Sequence, residues 1–285
     1  MRIPSLGRRQ VVGTLLLAKG ERYVDQVTVD AQGQAVGRVR RYTGESTGLG
    51  FPVKDISESV FGEAREWPET PPFTADDFRR IDESDDKLFY PDAQPKFVYH
   101  IDEGAAAALT NYYKSSIPEE GADVLDICSS WVSHYPTDFR GRAVGVGING
   151  VELANNQQLV DYRVRDLNDD PRLPFPDGSF DVVTCVVSID YLTKPIEVLE
   201  EVKRVLRPQN GRVIISQSNR LFFTKAVRTW LGKGDYDHLE LIGQYLYYAG
   251  FEGTPKAFDI TAQSRGRFKD PMFVVDCAVV GRGTS

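Results

Sequence analysis

Cysteine, histidine and methionine are scarce in this chain of 285 residues, at three, three and two. The cysteines, Cys128, Cys185 and Cys277, show neither Cys-x-x-Cys pairs nor a Cys/His spacing that suits a metal ion. No metal site is therefore expected, and a disulfide scaffold is excluded. Cys128 and Cys185 sit beside apolar runs and read as small buried apolar residues. Long hydrophobic runs are also missing: none approaches the roughly 20 residues of a membrane span. Positive charge is in deficit. Lys+Arg number 34 against 41 Asp+Glu, a net charge of -7, which argues against sequence-independent binding to nucleic-acid phosphates. What the chain does have is apolar and aromatic content, 41% and 11%. That supports a sizeable core, in one large domain or a core with an appended segment.

Residues 1–120 read as an extension that wraps or lids a core. Arg2, Arg8 and Arg9 precede the short apolar run Val11 to Ala18, the order of a targeting signal but only eight residues of it. A targeting remnant and an ordinary strand or frayed tail both stand as readings. Val24, Val27 and Val29, then Ala31-Gln32-Gly33-Gln34, then Val36 and Val39, suggest a hairpin. Trp67-Pro68-Glu69-Thr70-Pro71-Pro72 cannot continue a helix. Thr74 with Asp77 three residues on resembles a capping box.

From residue 121 to 285 the pattern changes. Short apolar runs at Ala122–Ile127, Ala143–Ile148, Asp161–Arg165, Phe180–Val187 and Gly211–Ser216 are spaced by helix-sized intervals, the signature of a parallel sheet with crossovers. The clearest helix starts at Pro195 and carries Ile196, Leu199, Val202, Val205 and Leu206 as its apolar stripe; Pro208 bars its continuation. Further helices are expected over Thr224–Trp230 and His238–Ala249, the latter closed by Gly250. Val274–Val280 reads as a last strand with a partner near Ala257–Ile260. The fold class is α/β, and ligands in such folds bind beyond the carboxyl ends of the strands.

The residues beyond those ends are Asp126-Ile127-Cys128-Ser129-Ser130-Trp131, Arg165-Asp166-Leu167-Asn168, the block LPFPDGSFDVV from Leu173 to Val183, and Arg204-Val205-Leu206-Arg207-Pro208-Gln209-Asn210-Gly211. Over about residues 121–281 this series resembles the class I S-adenosylmethionine-dependent methyltransferases, in a subgroup that reads "LPFPDGSFDVV" and "RVLKPGG". The resemblance implies a doubly wound, mostly parallel, seven-stranded Rossmann-like sheet with an N-terminal extension, and S-adenosylmethionine as cofactor. The chain also resembles a plant, algal and cyanobacterial branch of undefined substrate, through Phe78–Ser84, Phe97–Asp102 and Leu125–His134. That branch makes a plastid location an expectation beside a cytoplasmic one.

The resemblance assigns roles position by position. Asp126 matches the acid that opens the first motif, but Cys128, Ser129 and Ser130 stand where its glycine-rich loop is expected. Their small side chains are the nearest substitutes, and the serine hydroxyls are candidates to bond the cofactor; Trp131 and Val132 imply a different loop path. The ribose-binding acid of the second motif falls on Gly147, which leaves Asn149, and after it Glu152, as substitutes. Asp166 and the Leu167 N–H match the adenine contacts, and Val187 and Ser188 would flank the methionine portion. Each has a plainer reading: Asp126 as a satisfier of loop amides, Asp166 as a turn acid, Glu152 as a solvent-facing helix residue.

Methyl transfer from a sulfonium needs alignment above all, and a base only where the acceptor must lose a proton. Asp190 and His134 are the candidate catalytic residues. His100, Ser188, Tyr191 and Ser218-Asn219-Arg220 are further candidates for the acceptor pocket, with Tyr99 and Trp131 as aromatic walls. The expected function is methyl transfer to a small-molecule or lipid-like acceptor. The alternative is a catalytically inert relative with a binding or assembly role, suggested by the glycine-free loop. A protein or RNA methyltransferase is a third reading, disfavoured by the acidic balance.

Overall fold

The structure is a computed structural model, and it describes residues 50–63, 67–263 and 269–280 in full and 23–29 and 35–42 as backbone. The run Val11 to Ala18 lies outside the described residues. Strands β1 (Tyr23–Val29) and β2 (Ala35–Tyr42) pair antiparallel as the expected hairpin.

The remaining strands form one sheet: β3 (Lys54–Asp55), β4 (Glu120–Ile127), β5 (Arg140–Gly147), β6 (Asp161–Val164), β7 (Val182–Val186), β8 (Arg212–Gln217), β9 (Lys256–Asp259) and β10 (Phe273–Ala278). Their order is β3-β9-β10-β8-β7-β4-β5-β6. The sheet is parallel from β6 through β8, and β10 enters antiparallel between β8 and β9. The expected seven strands become eight, because the extension adds the two-residue β3 antiparallel to the edge of β9. Chain order reverses between β4 and β7, which is where a crevice opens in a doubly wound sheet.

Helices cover both faces: α1 (Ser57–Phe61), α2 (Asp86–Phe89), α3 (Glu103–Ser116), α4 (Gly150–Asn155), α5 (Pro195–Val205) and α6 (Asp235–Tyr248). Side chains alternate across a strand, so Leu125 and Ile127 of β4 join one apolar layer with α5 and α6, while Val124 joins the other with α3. Helix α3 lies inside the stretch read as an extension, yet Ala105, Ala107, Leu109 and Tyr113 are buried against the sheet. Asp102 caps it by accepting from Ala105 N (2.9 Å), and Asp102 also accepts from the backbone N–H groups of Lys269 and Asp270.

The helix expected over Thr224–Trp230 does not form. Only a 3₁₀ turn, Arg228–Trp230, is present. The N–H groups of Val227, Arg228 and Thr229 go instead to the carbonyls of Asp190, Arg79 and Asp77, which removes them from any intrahelical ladder. This segment is half of a clamp. Lys225, 1% exposed, lies 3.2 Å from Asp86 and 3.3 Å from Asp82, and Asp86 also pairs with Arg80 at 2.8 Å. Asn168 donates to the same Asp86 carboxylate and accepts from Thr193 N. A buried ion cluster therefore ties residues 80–86 to the sheet. Among the described residues, no helix is long and apolar enough to cross a membrane.

Candidate functional site

A cavity of about 280 Å³ opens at the carboxyl ends of the parallel strands. It is lined from β4 by Asp126 and Cys128 to Val132 with His134, from β5 by Gly147 and Asn149, from β6 by Asp166 to Asn168, and from β7 by Val186 to Ser188 and Tyr191. The extension closes it with Asp86, Tyr90 and Val98 to Ile101, and the loop after β8 with Arg220 to Phe222. Asp126 and Asp166, on strands two places apart, thus converge on one hollow. Trp131 lines that hollow without filling it. It is 2% exposed, its indole N–H reaches the Val98 carbonyl at 3.3 Å, and Phe97 and Tyr99 pack on its ring.

Asp126 is buried and accepts from Ser129 Oγ (2.6 Å), Ser133 Oγ (2.7 Å) and Thr184 Oγ1 (2.9 Å). Burial outweighs those hydrogen bonds and raises its pKa to about 6. Asp166 is half-buried. Desolvation raises its pKa, opposed by a hydrogen bond from Asn168 N at 2.9 Å. Leu167 is buried beside it in the cavity wall.

The loop after β4 turns without glycine by placing Cys128 at φ 53° and His134 at φ 59°, the left-handed region that non-glycine residues seldom adopt. The glycine stands across from it instead. A β-carbon on Gly147 would collide with the carbonyl oxygen of Ser129, so the loop backbone fills the space in which a side chain at the end of β5 would begin. The serine hydroxyls expected to reach a cofactor turn inward: Ser129 donates to Asp126, and Ser130 donates to Glu152 Oε2 at 2.6 Å. Val187 also sits at positive φ, 40°, with its N–H on the Ser216 carbonyl.

Three sequence expectations change here. Asn149 is 2% exposed and caps α4, accepting from the N–H groups of Val151 and Glu152 while its amide donates to the Tyr90 and Pro91 carbonyls. Both ends of the side chain are committed to the protein, so it holds the extension and does not stand free for a ribose. Glu152 is buried, not solvent-facing, and accepts from Lys96 N at 2.7 Å as well as from Ser130. Asp190, expected as a base, lies in a 3₁₀ turn (Ile189–Tyr191) that carries it into the interior. It is 1% exposed, does not line the cavity, and burial raises its pKa to about 8.

Of the other candidates, His134 lines the cavity at 8% exposure with the Tyr99 ring 5.3 Å away. His100 lines it from the extension and is exposed. Ser218 does not line it; it donates to the Pro271 carbonyl at 2.8 Å. Sequence reasoning missed Asp86, Tyr90, Asn168 and Phe222. Asp86 hides in the acidic run Asp82–Asp86, which reads as solvated. The usable signal was Lys225, a lone cation in the apolar stretch Leu221–Val227 that needed a buried partner.

The residues present suit S-adenosylmethionine at two of its parts. An accepting carboxylate at Asp166 beside apolar Leu167 suits an adenine, and the loop between Asp126 and His134 faces the cavity beside Val187. At the end of β5, where a side chain would otherwise project, stands the Ser129 backbone.

A family model described as a methyltransferase domain matches residues 127–215, the stretch that carries these strand ends. No curated protein matches the chain. Among solved structures, the [4+2]-cyclase SpnF is similar at 17% identity and TM-score 0.47, covering 69% of this chain and 93% of that one. An S-adenosylmethionine-dependent methyltransferase from Aquifex aeolicus is similar at 16% identity and TM-score 0.39, covering 73% and 100%. A TehB-like S-adenosylmethionine-dependent methyltransferase from Corynebacterium glutamicum shows 17% identity and TM-score 0.41, covering 62% and 89%. The matched stretch, residues 127–215, is the part of the chain that is similar to a methyltransferase domain, and it spans the parallel strands β5 to β7 and most of β8.

Proposed function

We propose that the chain transfers a methyl group from S-adenosylmethionine to a small-molecule or lipid-like acceptor. The observation that carries this reading is the meeting of Asp126 and Asp166 on one hollow whose far wall is built by the extension. The cofactor supplies an activated methyl on sulfur, so the protein's work is binding, alignment and exclusion of water. Asp166 and Leu167 hold the adenine. The loop from Cys128 to Ser130 and the turn at Val187 hold the methionine portion, and Asp126 keeps that loop in place through its serines. Residues 86–101 close the cavity over the acceptor, held down by the Lys225 cluster. A wall clamped in this way suits an acceptor that fits a closed hollow better than a protein or RNA chain. The test is incubation with methyl-labelled S-adenosylmethionine and fractionated small-molecule extracts, reading label moved into a product that needs intact Asp166.

A second reading, a binding or assembly role without turnover, is favoured by one observation: the Asp126 carboxylate already accepts from three hydroxyls. Cofactor binding with no labelled product from any extract supports it.

A further inference from the structure

We propose that the acceptor is a flat aromatic molecule with an ionisable hydroxyl, and that His100 takes the hydroxyl proton. This rests on the methyl-transfer reading and names its substrate class.

The sheet order divides the cavity. The ends of β4 and β5 and the loop after β6 bring Asp126, Gly147 and Asp166 to one side, while the loops after β7 and β8 bring Tyr191 and Phe222 to the other, where the extension adds Tyr90 and His100. The second side is aromatic. Phe222 sits at its centre, with ring centroids of His100 at 5.3 Å, Tyr191 at 5.9 Å and Tyr90 at 6.3 Å, and with Phe89 behind at 5.1 Å. Its backbone N–H donates to the Tyr191 hydroxyl at 2.8 Å, which fixes the ring's place. Edge-to-face surroundings of this kind favour another flat ring over an aliphatic chain.

Two of the charged groups on this side are paired within the protein. Asp86 is held by Arg80 and Lys225, and Arg220 by Asp270 at 2.8 Å. A hydroxyl that enters neutral must lose a proton to become a strong nucleophile. Of the histidines, His238 contacts the Trp230 carbonyl and His134 is buried, whereas His100 is exposed on the cavity wall and, among the described residues, its ring nitrogens have no hydrogen-bond partner. Lys96, on the His100 segment, is the charged group that acts on it, and Asp86, Tyr90, His134, Tyr191 and Arg220 are titratable groups on the same cavity wall. Desolvation of the ring by the cavity wall, then the Lys96 charge, lowers the His100 pKa from its ordinary value, which favours the neutral imidazole that can accept.

In the step, the hydroxyl proton passes to an imidazole nitrogen of His100. The oxygen lone pair forms the new O–C bond as the C–S bond breaks and its electron pair returns to sulfur. The imidazolium then gives its proton to water.

The test uses the full chain loaded with S-adenosylhomocysteine and titrated with 4-nitrophenol, at a pH where the free compound is mostly the neutral phenol. The expected result is saturable growth of the yellow phenolate band to several times its level in free solution. His100→Ala abolishes that growth with S-adenosylhomocysteine affinity unchanged, and Phe222→Ala weakens phenol binding up to about tenfold. Absence of phenol binding, or an equal band in His100→Ala, overturns the proposal while the methyl-transfer reading survives. Failure of the wild-type chain to bind S-adenosylhomocysteine overturns both.

Discussion

The carbonyl oxygen of Ser129 occupies the space into which a side chain on Gly147 would grow. This single contact joins two features that look unrelated in the sequence. The loop after β4 has no glycine where the resemblance expects them, and the end of β5 has one. A loop built from Cys128, Ser129 and Ser130 takes a course that presses its backbone against β5. Only a residue without a β-carbon accommodates that course. The loop is then secured from below by Asp126 and from the side by Glu152.

Gly147→Ala should therefore be costly at a position that looks permissive. The obstacle is backbone and cannot swing aside, so the loop must move. We expect a loss of about 1–3 kcal/mol in urea-midpoint stability, together with weaker S-adenosylhomocysteine binding. An alanine variant as stable as the wild type would place the Ser129 carbonyl elsewhere.

Asp190 gives a pH-dependent prediction. Its folded pKa, about 8, lies above the ordinary aspartate value near 3.9. The folded state therefore holds the proton more tightly than the unfolded state. The stability it contributes is complete at acid pH and is lost as pH rises toward and through about 8. Asp190→Asn, which stays neutral, should be more stable than the wild type at pH 9, with the difference shrinking steadily and levelling off only below about pH 4. Its turnover should be close to wild type, because the side chain does not reach the cavity. Loss of turnover with unchanged stability would restore Asp190 as a catalytic residue.

Asp126 follows the same sign over a lower window. Its pKa of about 6 means that stability from this group declines as pH rises from about 4 to 6 and then levels off. Asp126→Asn should flatten that part of the stability profile and retain a partner for Thr184. Asp126→Ala should release Ser129 and Ser133 and loosen the loop, seen as faster amide exchange over residues 128–134.

Lys225→Met tests the clamp. It removes the cation shared by Asp86 and Asp82 and leaves Asp86 to Arg80 and Asn168, so the urea midpoint should fall. Limited proteolysis should then cut within residues 80–101, sites protected in the wild type. Protection equal to the wild type would show that aromatic packing around Phe222 holds the extension unaided.

The parallel half of the fold was legible because its strands are continuous apolar runs and α5 repeats its apolar residues around one face. The edge strand Lys54–Asp55 was not, since two charged residues carry no periodic pattern and pair only because β9 offers an open edge. The segment Thr224–Trp230 looked helical from composition, but the N–H groups of Val227, Arg228 and Thr229 are claimed by residues 190, 79 and 77, far away in the chain. That Asp126 and Asp166 line one cavity was legible from their places at strand ends. Asn149 and Asp190 were misread for a shared reason: side chains following a strand end were assumed to face the crevice, whereas a helix cap turns one inward and a 3₁₀ turn buries the other. His100 and Phe222 meet only through folding of the extension onto the loop after β8, a long-range relation without a local signature.

Calorimetric titration with S-adenosylhomocysteine, wild type against Asp166→Ala, addresses the central claim most directly. The account predicts one site per chain in the wild type and at least tenfold weaker binding in the variant, about 1.4 kcal/mol or more. No heat of binding at millimolar ligand, or equal affinity in the two proteins, would contradict it.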